Sequence, residues 1–575
     1  MYLDVSKFNK KIKVIYGFTF MIWIAVLNGV NATESETDRF TGYWEIGFRN
    51  VDLQGSENKY RQHMNLDNGF WLSAFGLVYL PEKTSAFTPD KVEISASNLG
   101  NEPYQNLRFD VRKYGSYHLR YKRQKSEYFY QDILIDPADE NPESSNGGDF
   151  HHFDFDRVRD QFNLDINLSE NAKFLVDLNQ YTKKGESTTV LDVEREEFEL
   201  EQPVDQKLKN YNLGFEYHWD NTAVKVNQRW RDFNNDVEIY LLNPSEGSAP
   251  LDPTQLDNYY LEQPYGYNSR ETQVDFSFRP SINWQVQVNA LYADLDMDLE
   301  SLELATGLDF VGDLLLYNFD GEGQSFRTIR QLYLSFGYAI NDTMRLKASF
   351  RNQNLEQNSY LNLDDIISEN EWSIDSTTAV VGLETILNKD WSFTSGFSIE
   401  EREVSTVFFS EDIQHIEDEK TRNNGYYMIL GYRPKLGLSL TASAEKNIIN
   451  DPFTLSSPTD SETIRLRFAY KWESGINLSS AYAWKKNEND LSSWQTNSKH
   501  ASLRLGYSND PILLAVGTTI VDVDRSIDQL VTGGFVQTLF PIYYRADSDF
   551  WDAMLRWKVS AKTSVTTNYR SYDNN

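Results

Sequence analysis

The chain has 575 residues, a formal net charge of -31, 14% aromatic residues and no cysteine. Without cysteine it cannot attach a c-type haem through C-x-x-C-H, ligate an iron–sulfur cluster through thiolates, build a cysteine zinc site or staple itself with disulfides. Its length would ordinarily suggest several domains of about 100–200 residues each, yet no composition shift or low-complexity linker marks a boundary, and one large repetitive unit is the simpler reading.

At the N-terminus Lys7, Lys10, Lys11 and Lys13 precede an apolar run from Val14 to Leu27, and Val30-Asn31-Ala32 supplies small residues for cleavage. This is the pattern of a secretory signal peptide. The run is shorter than the roughly 20 residues a spanning helix needs. Residues 1–32 therefore read as a signal peptide and residues 33–575 as a single exported domain.

Strand patterns begin near residues 42, 69, 90 and 104. The stretch from Lys59 to Pro81 passes from a polar half into an aromatic half too short and too interrupted to cross a membrane as a helix. Farther on, a two-residue period recurs. Leu213, Phe215, Tyr217 and Trp219 alternate with polar residues, as do Val274, Phe276 and Phe278, and Ile282, Trp284, Val286 and Val288. Met344 to Phe350, Leu436 to Ala442 and Ile464 to Trp472 repeat it. Such alternation is a strand with one apolar face.

Tight connections take turns with long ones. Tyr114-Gly115, Ser169-Glu170-Asn171, Asp220-Asn221, Arg279-Pro280-Ser281, Asn341-Asp342, Asn388-Lys389-Asp390, Arg433-Pro434-Lys435, Glu473-Ser474-Gly475 and Asn509-Asp510-Pro511 are turn sequences. Between them lie long acidic segments at about 126–157, 183–206, 232–271, 293–325 and 523–548, which read as external loops opposite short periplasmic turns. The strands run to ten or more residues, as a tilted bilayer crossing requires, whereas those of soluble sandwiches average about 5–6. Trp219, Trp230, Trp284, Trp391, Trp472 and Trp484 sit at strand ends, where an interfacial girdle belongs.

The expected fold is all-β: a large antiparallel up-and-down transmembrane β-barrel of about 24 to 28 strands, in the outer membrane of a Gram-negative bacterium. Counting patterned segments gives on the order of 23, an odd number for a bacterial barrel, so either this chain lacks at least one closing strand or the poorly patterned N-terminal third hides a further one.

Inward positions of these strands are rich in cations: Arg108, Arg112, Arg120, Lys122, Lys225, Arg229, Arg231, Arg345, Lys347, Arg351, Arg465, Arg467, Lys471 and Arg504. Fewer acids accompany them, among them Asp110, Asp165, Asp177, Glu216, Asp275 and Glu445. A basic bore inside an acidic protein would favour anionic solutes or the surface of an acidic partner, or be paired off within the wall. His118 and His218 fall at inward positions as hydrogen-bonded wall residues. His151-His152, near Asp149, Asp154 and Asp156, reads as a solvated loop, and Asp294, Asp296 and Asp298 mimic a calcium loop whose turn glycine is replaced by Leu299. No elbow or nucleophile motif is present, so no catalytic, cofactor-binding or metal residue is assigned and the protein reads as no enzyme.

Tyr60-Arg61, Asn65-Leu66-Asp67-Asn68-Gly69 and the alternating FWLSAFGL follow GYWEIGFRNVD and precede NLRFDVRKYGSYHLRYKR. Together they resemble the N-terminal region of the decahaem-associated outer-membrane β-barrel family, the MtrB/PioB family, most clearly over residues 42 to about 130. Some members carry a C-x-x-C pair near the mature N-terminus, which this chain lacks. The resemblance implies a sheath enclosing a periplasmic multihaem c-type cytochrome, with haem carried by that partner and none by the barrel, so that electrons cross the outer membrane. An extracellular multihaem cytochrome on the acidic loops and membrane lipid are the further partners expected; nucleic acid is not. The alternative is a diffusive or substrate-specific porin. Only about ten residues separate the cleavage point from the first strand, too few for a plug inside a bore of this size.

Overall fold

The computed structural model describes residues 39–53, 57–82, 85, 87–131, 152–193, 196–246, 253–364, 366–410, 413–434, 437–454, 456–533, 536–559 and 564–574. The expected signal peptide, His151 and Asp149 lie outside them. Strands β1 (Phe40–Arg49), β2 (Gly69–Tyr79), β3 (Lys91–Gly100), β4 (Tyr104–Lys113), β5 (Tyr117–Gln131) and β6 (His152–Asn167) open the chain. Next come β7 (Ala172–Val193), β8 (Glu196–Glu201), β9 (Val204–Trp219), β10 (Thr222–Tyr240), β11 (Gln255–Glu262) and β12 (Tyr265–Phe278). The longest follow: β13 (Trp284–Leu308), β14 (Leu314–Asn341), β15 (Met344–Leu363), β16 (Ile366–Ile386), β17 (Trp391–Ser410) and β18 (Ile413–Tyr432). The chain closes with β19 (Leu438–Asn450), β20 (Asp460–Lys471), β21 (Ile476–Asn489), β22 (Trp494–Asn509), β23 (Ile512–Gly533), β24 (Val536–Lys558) and β25 (Ser564–Asn574).

All 25 strands belong to one antiparallel sheet in which sequence neighbours pair. Two staves are interrupted. β7 continues its ladder from β9 onto β8, and β13 from β12 onto β11. Each break falls at a Leu-Glu-Gln-Pro sequence, Leu200 to Pro203 and Leu261 to Pro264, where proline has no N–H to give the ladder. The 25 strands thus make 23 staves, the number obtained by counting patterned segments in the sequence. Among the described residues β1 pairs only with β2 and β25 only with β24, so these two carry the sheet's edges.

All nine expected tight turns fall between consecutive strands, with Lys435 of the Arg433-Pro434-Lys435 turn outside the described residues. The long acidic segments do not form the expected loops: most of their residues are strand. β14 alone has 28 residues, about 90 Å at ~3.3 Å per residue, where roughly 9–11 residues suffice to cross a bilayer. The staves therefore project far beyond the membrane on the side opposite the short turns. The 132–151 part of the first such segment lies outside the described residues.

Register divides each stave into two zones. Near the turns, apolar side chains share the outer face: Val286, Val288, Phe336, Leu334 and Phe350 stand in adjacent pairs. All six named tryptophans are on this face. Trp219, Trp284, Trp391 and Trp472 lie at the turn ends, and Trp230 and Trp484 about eight residues higher, which brackets a belt of about 20 Å on strands tilted by roughly 40°. Above the belt the alternation reverses. On β13 Asp294, Asp296 and Asp298 take the outer face, while Ala293, Leu295, Met297 and Leu299 turn inward. These carboxylates stand on a continuous ladder, so the calcium-loop likeness has no loop behind it; no cluster of metal-ligating residues occurs among the described residues.

Among the described residues the most buried apolar cluster sits in this projection. Phe198 and Leu200 of β8 meet Leu256 and Tyr259 of β11, Ala305 of β13 and Leu315 of β14, all at most 7% exposed. The tip of the β7–β8 hairpin thus packs its inner face against that of β11, β13 and β14, beyond the end of β10. The Tyr259 hydroxyl donates to Glu303 Oε1 at 2.8 Å, and burial followed by the Glu303 charge pushes its ionisation far above the ordinary phenol range.

Leu256→Ala should remove about 2–5 kcal/mol of local stability, seen as faster proteolysis of the projecting hairpins while the belt keeps its resistance to unfolding in detergent. Because the Tyr259 pKa is raised in the folded state, its contribution is fully present below about pH 10 and is lost only as pH climbs through the folded value. A spectrophotometric titration of wild type minus Tyr259→Phe should therefore show one phenol that stays protonated when free tyrosine has ionised; ionisation near pH 10 contradicts that burial.

Candidate functional site

The inner wall of the belt is the candidate site, and cross-strand register assigns each side chain to it. Arg108, Asp110 and Arg112 on β4 pair with Lys122, Arg120 and His118 on β5. Lys225 on β10 faces Glu216 on β9 and Asp275 on β12. Arg345, Lys347 and Arg351 share the inner face of β15; Arg465, Arg467 and Lys471 that of β20; Arg504 joins them from β22. Every cation and acid expected to face inward does so.

Much of this charge is paired. Asp110, only 3% exposed, accepts from His118 Nε2 at 2.9 Å and Arg108 Nη2 at 3.2 Å, with Arg112 at 3.9 Å. A buried carboxylate is tolerable only with such company. Asp177 accepts amide hydrogens from Asn163 and Asn212, and Glu216 contacts His218. Both inward histidines are hydrogen-bonded wall residues, as expected.

Several partners escaped the sequence reading because their strands lie in the segments taken for loops or carry mixed patterns. Glu271 meets Arg229 at 2.7 Å and Arg231 at 3.6 Å; Glu384 meets Lys347 at 2.8 Å. Glu400 reaches Arg351 across β16 at 3.8 Å, and Asp552 reaches Arg504 across Gly517 of β23 at 3.3 Å. Side chains two staves apart touch on a concave face, where they converge. Such half-exposed pairs contribute about 0–1 kcal/mol each, so they position charge more than they stabilise.

Lys122, Lys225, Arg345, Arg467 and Lys471 have no ion-pair partner among the described residues. Around the last two the wall is smooth: Thr441, Ala469, Ser479, Ala481 and Ser502 occupy neighbouring inner positions. Elsewhere glycine admits an aromatic ring. A Cβ on Gly396 would lie 2.3 Å from the Tyr427 ring and one on Gly382 would meet its hydroxyl oxygen, so Tyr427 lies flat across two staves. Chemically, the wall offers hydrogen bonds and many cationic groups to whatever occupies the bore, and no group of three or more metal-ligating side chains occurs among the described residues.

No family model matches the chain, and no curated protein matches it. Among solved structures, the ferric yersiniabactin uptake receptor FyuA from Yersinia pestis is similar with a TM-score of 0.51, at 8% identity over 84% of each chain. The ferric-catecholate import receptor Fiu from E. coli K12 follows at a TM-score of 0.46 and 10% identity, over 86% of this chain and 81% of the receptor. The first likeness establishes the fold: a transmembrane β-barrel of the outer-membrane kind. At that identity it does not extend to what the bore contains.

Gly396→Val should displace Tyr427 and lower the yield of folded barrel, an overpacking cost of about 1–3 kcal/mol. Adding Tyr427→Ala should restore folding. Failure of the double variant to recover, measured by heat-modifiable migration in gels, removes the ring-over-glycine account.

Proposed function

We propose that this chain is an outer-membrane sheath enclosing a multihaem c-type cytochrome, so that electrons cross the membrane along the partner's haems. The observation that carries this reading is the inner wall: 23 staves lining a bore with hydrogen-bonding groups and with cations, Lys122, Arg345, Arg467 and Lys471 among them, that form no ion pair among the described residues. A bore near 22 strands is wide enough to require a filler or a large solute. A haem chain crossing about 30 Å of hydrocarbon would expose polar protein to lipid unless enclosed, and a barrel resolves this with its outer face apolar and its inner face polar. Arg345, Arg467 and Lys471, which form no ion pair among the described residues, suit an acidic surface entering from the turn side. The chain has no cysteine, which keeps thiol chemistry away from the partner's haems. On the opposite side, the outward Asp294, Asp296 and Asp298 suit a basic second partner, an extracellular cytochrome.

The test is reconstitution. Liposomes loaded with a reduced dye should be oxidised by an external, membrane-impermeant acceptor only when barrel and cytochrome are both present. Arg467→Glu combined with Lys471→Glu should weaken capture of the cytochrome by at least about tenfold, most strongly at low salt. Barrel alone that admits sugars, together with no haem protein co-purifying from native membranes, establishes the porin reading instead.

A further inference from the structure

A cavity of about 430 Å³ opens at the projecting end of β22, β23 and β24, within the roughly 300–1,000 Å³ range of small-molecule sites. Val523, Arg525 and Ile527 of β23 form one wall, Ile542 and Tyr544 of β24 another, and Trp494 at the start of β22 a third. Register puts Arg525 between Thr496 and Tyr544 on the inner face. Ser456, from the connection between β19 and β20, lies over the opening.

This arrangement is held by one buried amide. Asn489 is 1% exposed; its Nδ2 donates to the carbonyls of Ser457 at 2.6 Å and Thr454 at 3.4 Å, and its Oδ1 accepts from Leu491 N at 2.8 Å and Ser492 N at 3.2 Å. Thr459 N donates to Glu488 O at 2.7 Å, and Asp490 N to Thr459 Oγ1 at 3.1 Å. The β19–β20 connection, which brings Ser456 to the cavity, is thereby knitted to the hairpin that presents Trp494.

Arg525 has no ion-pair partner among the described residues. The nearby carboxylates are on the other face of the sheet and engaged there: Asp522 with Lys499 at 3.5 Å, Asp524 and Asp547 with Arg545 at 3.7 and 3.2 Å. Arg525 is solvent-exposed beside this aromatic and aliphatic surface, with no acid on its own face, so its guanidinium is open to an incoming anion. A neutral ligand would leave it so. A phosphate dianion would call for more than one cation. One carboxylate on a flat apolar body satisfies both the fork of Arg525 and the rings of Trp494 and Tyr544.

We propose that this cavity is a binding site for a small aromatic carboxylate, gripped by Arg525 between Trp494 and Tyr544, with Asn489 as the positioning residue. Calorimetry on the purified barrel in detergent, free of any haem protein, tests it independently of the sheath reading. With 1-naphthoate as probe, sub-millimolar binding is expected, with the neutral 1-naphthylmethanol at least about tenfold weaker. Arg525→Gln should abolish that discrimination, and Arg525→Lys should restore part of it. Asn489→Ala should weaken both probes while heat-modifiable migration stays unchanged. Absence of naphthoate binding at 1 mM, equal binding of the two probes to wild type, or discrimination that survives Arg525→Gln overturns the proposal.

Discussion

Every backbone N–H and C=O that faces hydrocarbon must find a partner within the protein, at a cost of several kcal/mol for each that does not. Between its two edge strands, β1 and β25, the sheet is built on that constraint. β13 and β14 pair without a break from Trp284–Tyr338 to Leu308–Leu314, and β15 with β16 from Met344 to Leu363. The irregular staves obey the same rule by placement. Both Leu-Glu-Gln-Pro breaks lie above the tryptophan girdle, where water can reach the backbone, and each flanking glutamine still donates, Gln202 N to Ser187 O at 2.6 Å and Gln263 N to Val237 O at 2.8 Å.

A ladder so continuous cannot change which side chains face outward, because a stave without a bulge keeps its two-residue phase along its whole length. The sequence changes instead. Along β13 the apolar residues move from even to odd positions between Ala290 and Leu291, and the outer face passes from lipid-compatible to acidic without any backbone irregularity. Above that level the solvent is on the outside, so the projecting hairpins can bury leucines on their inner faces. The cluster around Leu256 and Tyr259 is the result. One sheet thus serves two solvents, and its driest apolar packing lies outside the membrane.

Within the belt, the inner wall solves a different problem. Its charges are too exposed to stabilise the fold appreciably, yet they are ordered: Asp110 collects three basic groups, Glu271 bridges two arginines, and Arg351 and Arg504 reach across a stave. Outside these ion pairs stand cations and, on the same wall, Asp177 and Asp275, which accept from amides instead; around Arg467 and Lys471 the neighbouring inner positions are small side chains. A wall of this kind can accept a large polar occupant closely, and it couples the electrostatics of the bore to that occupant, the physical basis of the sheath proposal.

The two-residue rhythm, the nine tight turns and the six tryptophans were legible in the sequence because each depends only on neighbours along the chain. They determined strand identity, the transmembrane barrel class and the facing of every inward cation named from the sequence. The length of the staves was not legible: in segments such as 293–325 the rhythm persists but exchanges faces, and acidic residues on a water-facing strand look like loop residues when the change of solvent is unseen. Nor were the partners of the charges. Glu271, Glu384, Glu400 and Asp552 meet their cations across staves, at separations along the chain that the register of hydrogen bonds sets. Only the assembled sheet decided which carboxylate neutralises which cation, which cations are left over, and that Trp494, Arg525 and Tyr544 share one cavity, because those are properties of side chains converging on a concave face from strands remote in sequence.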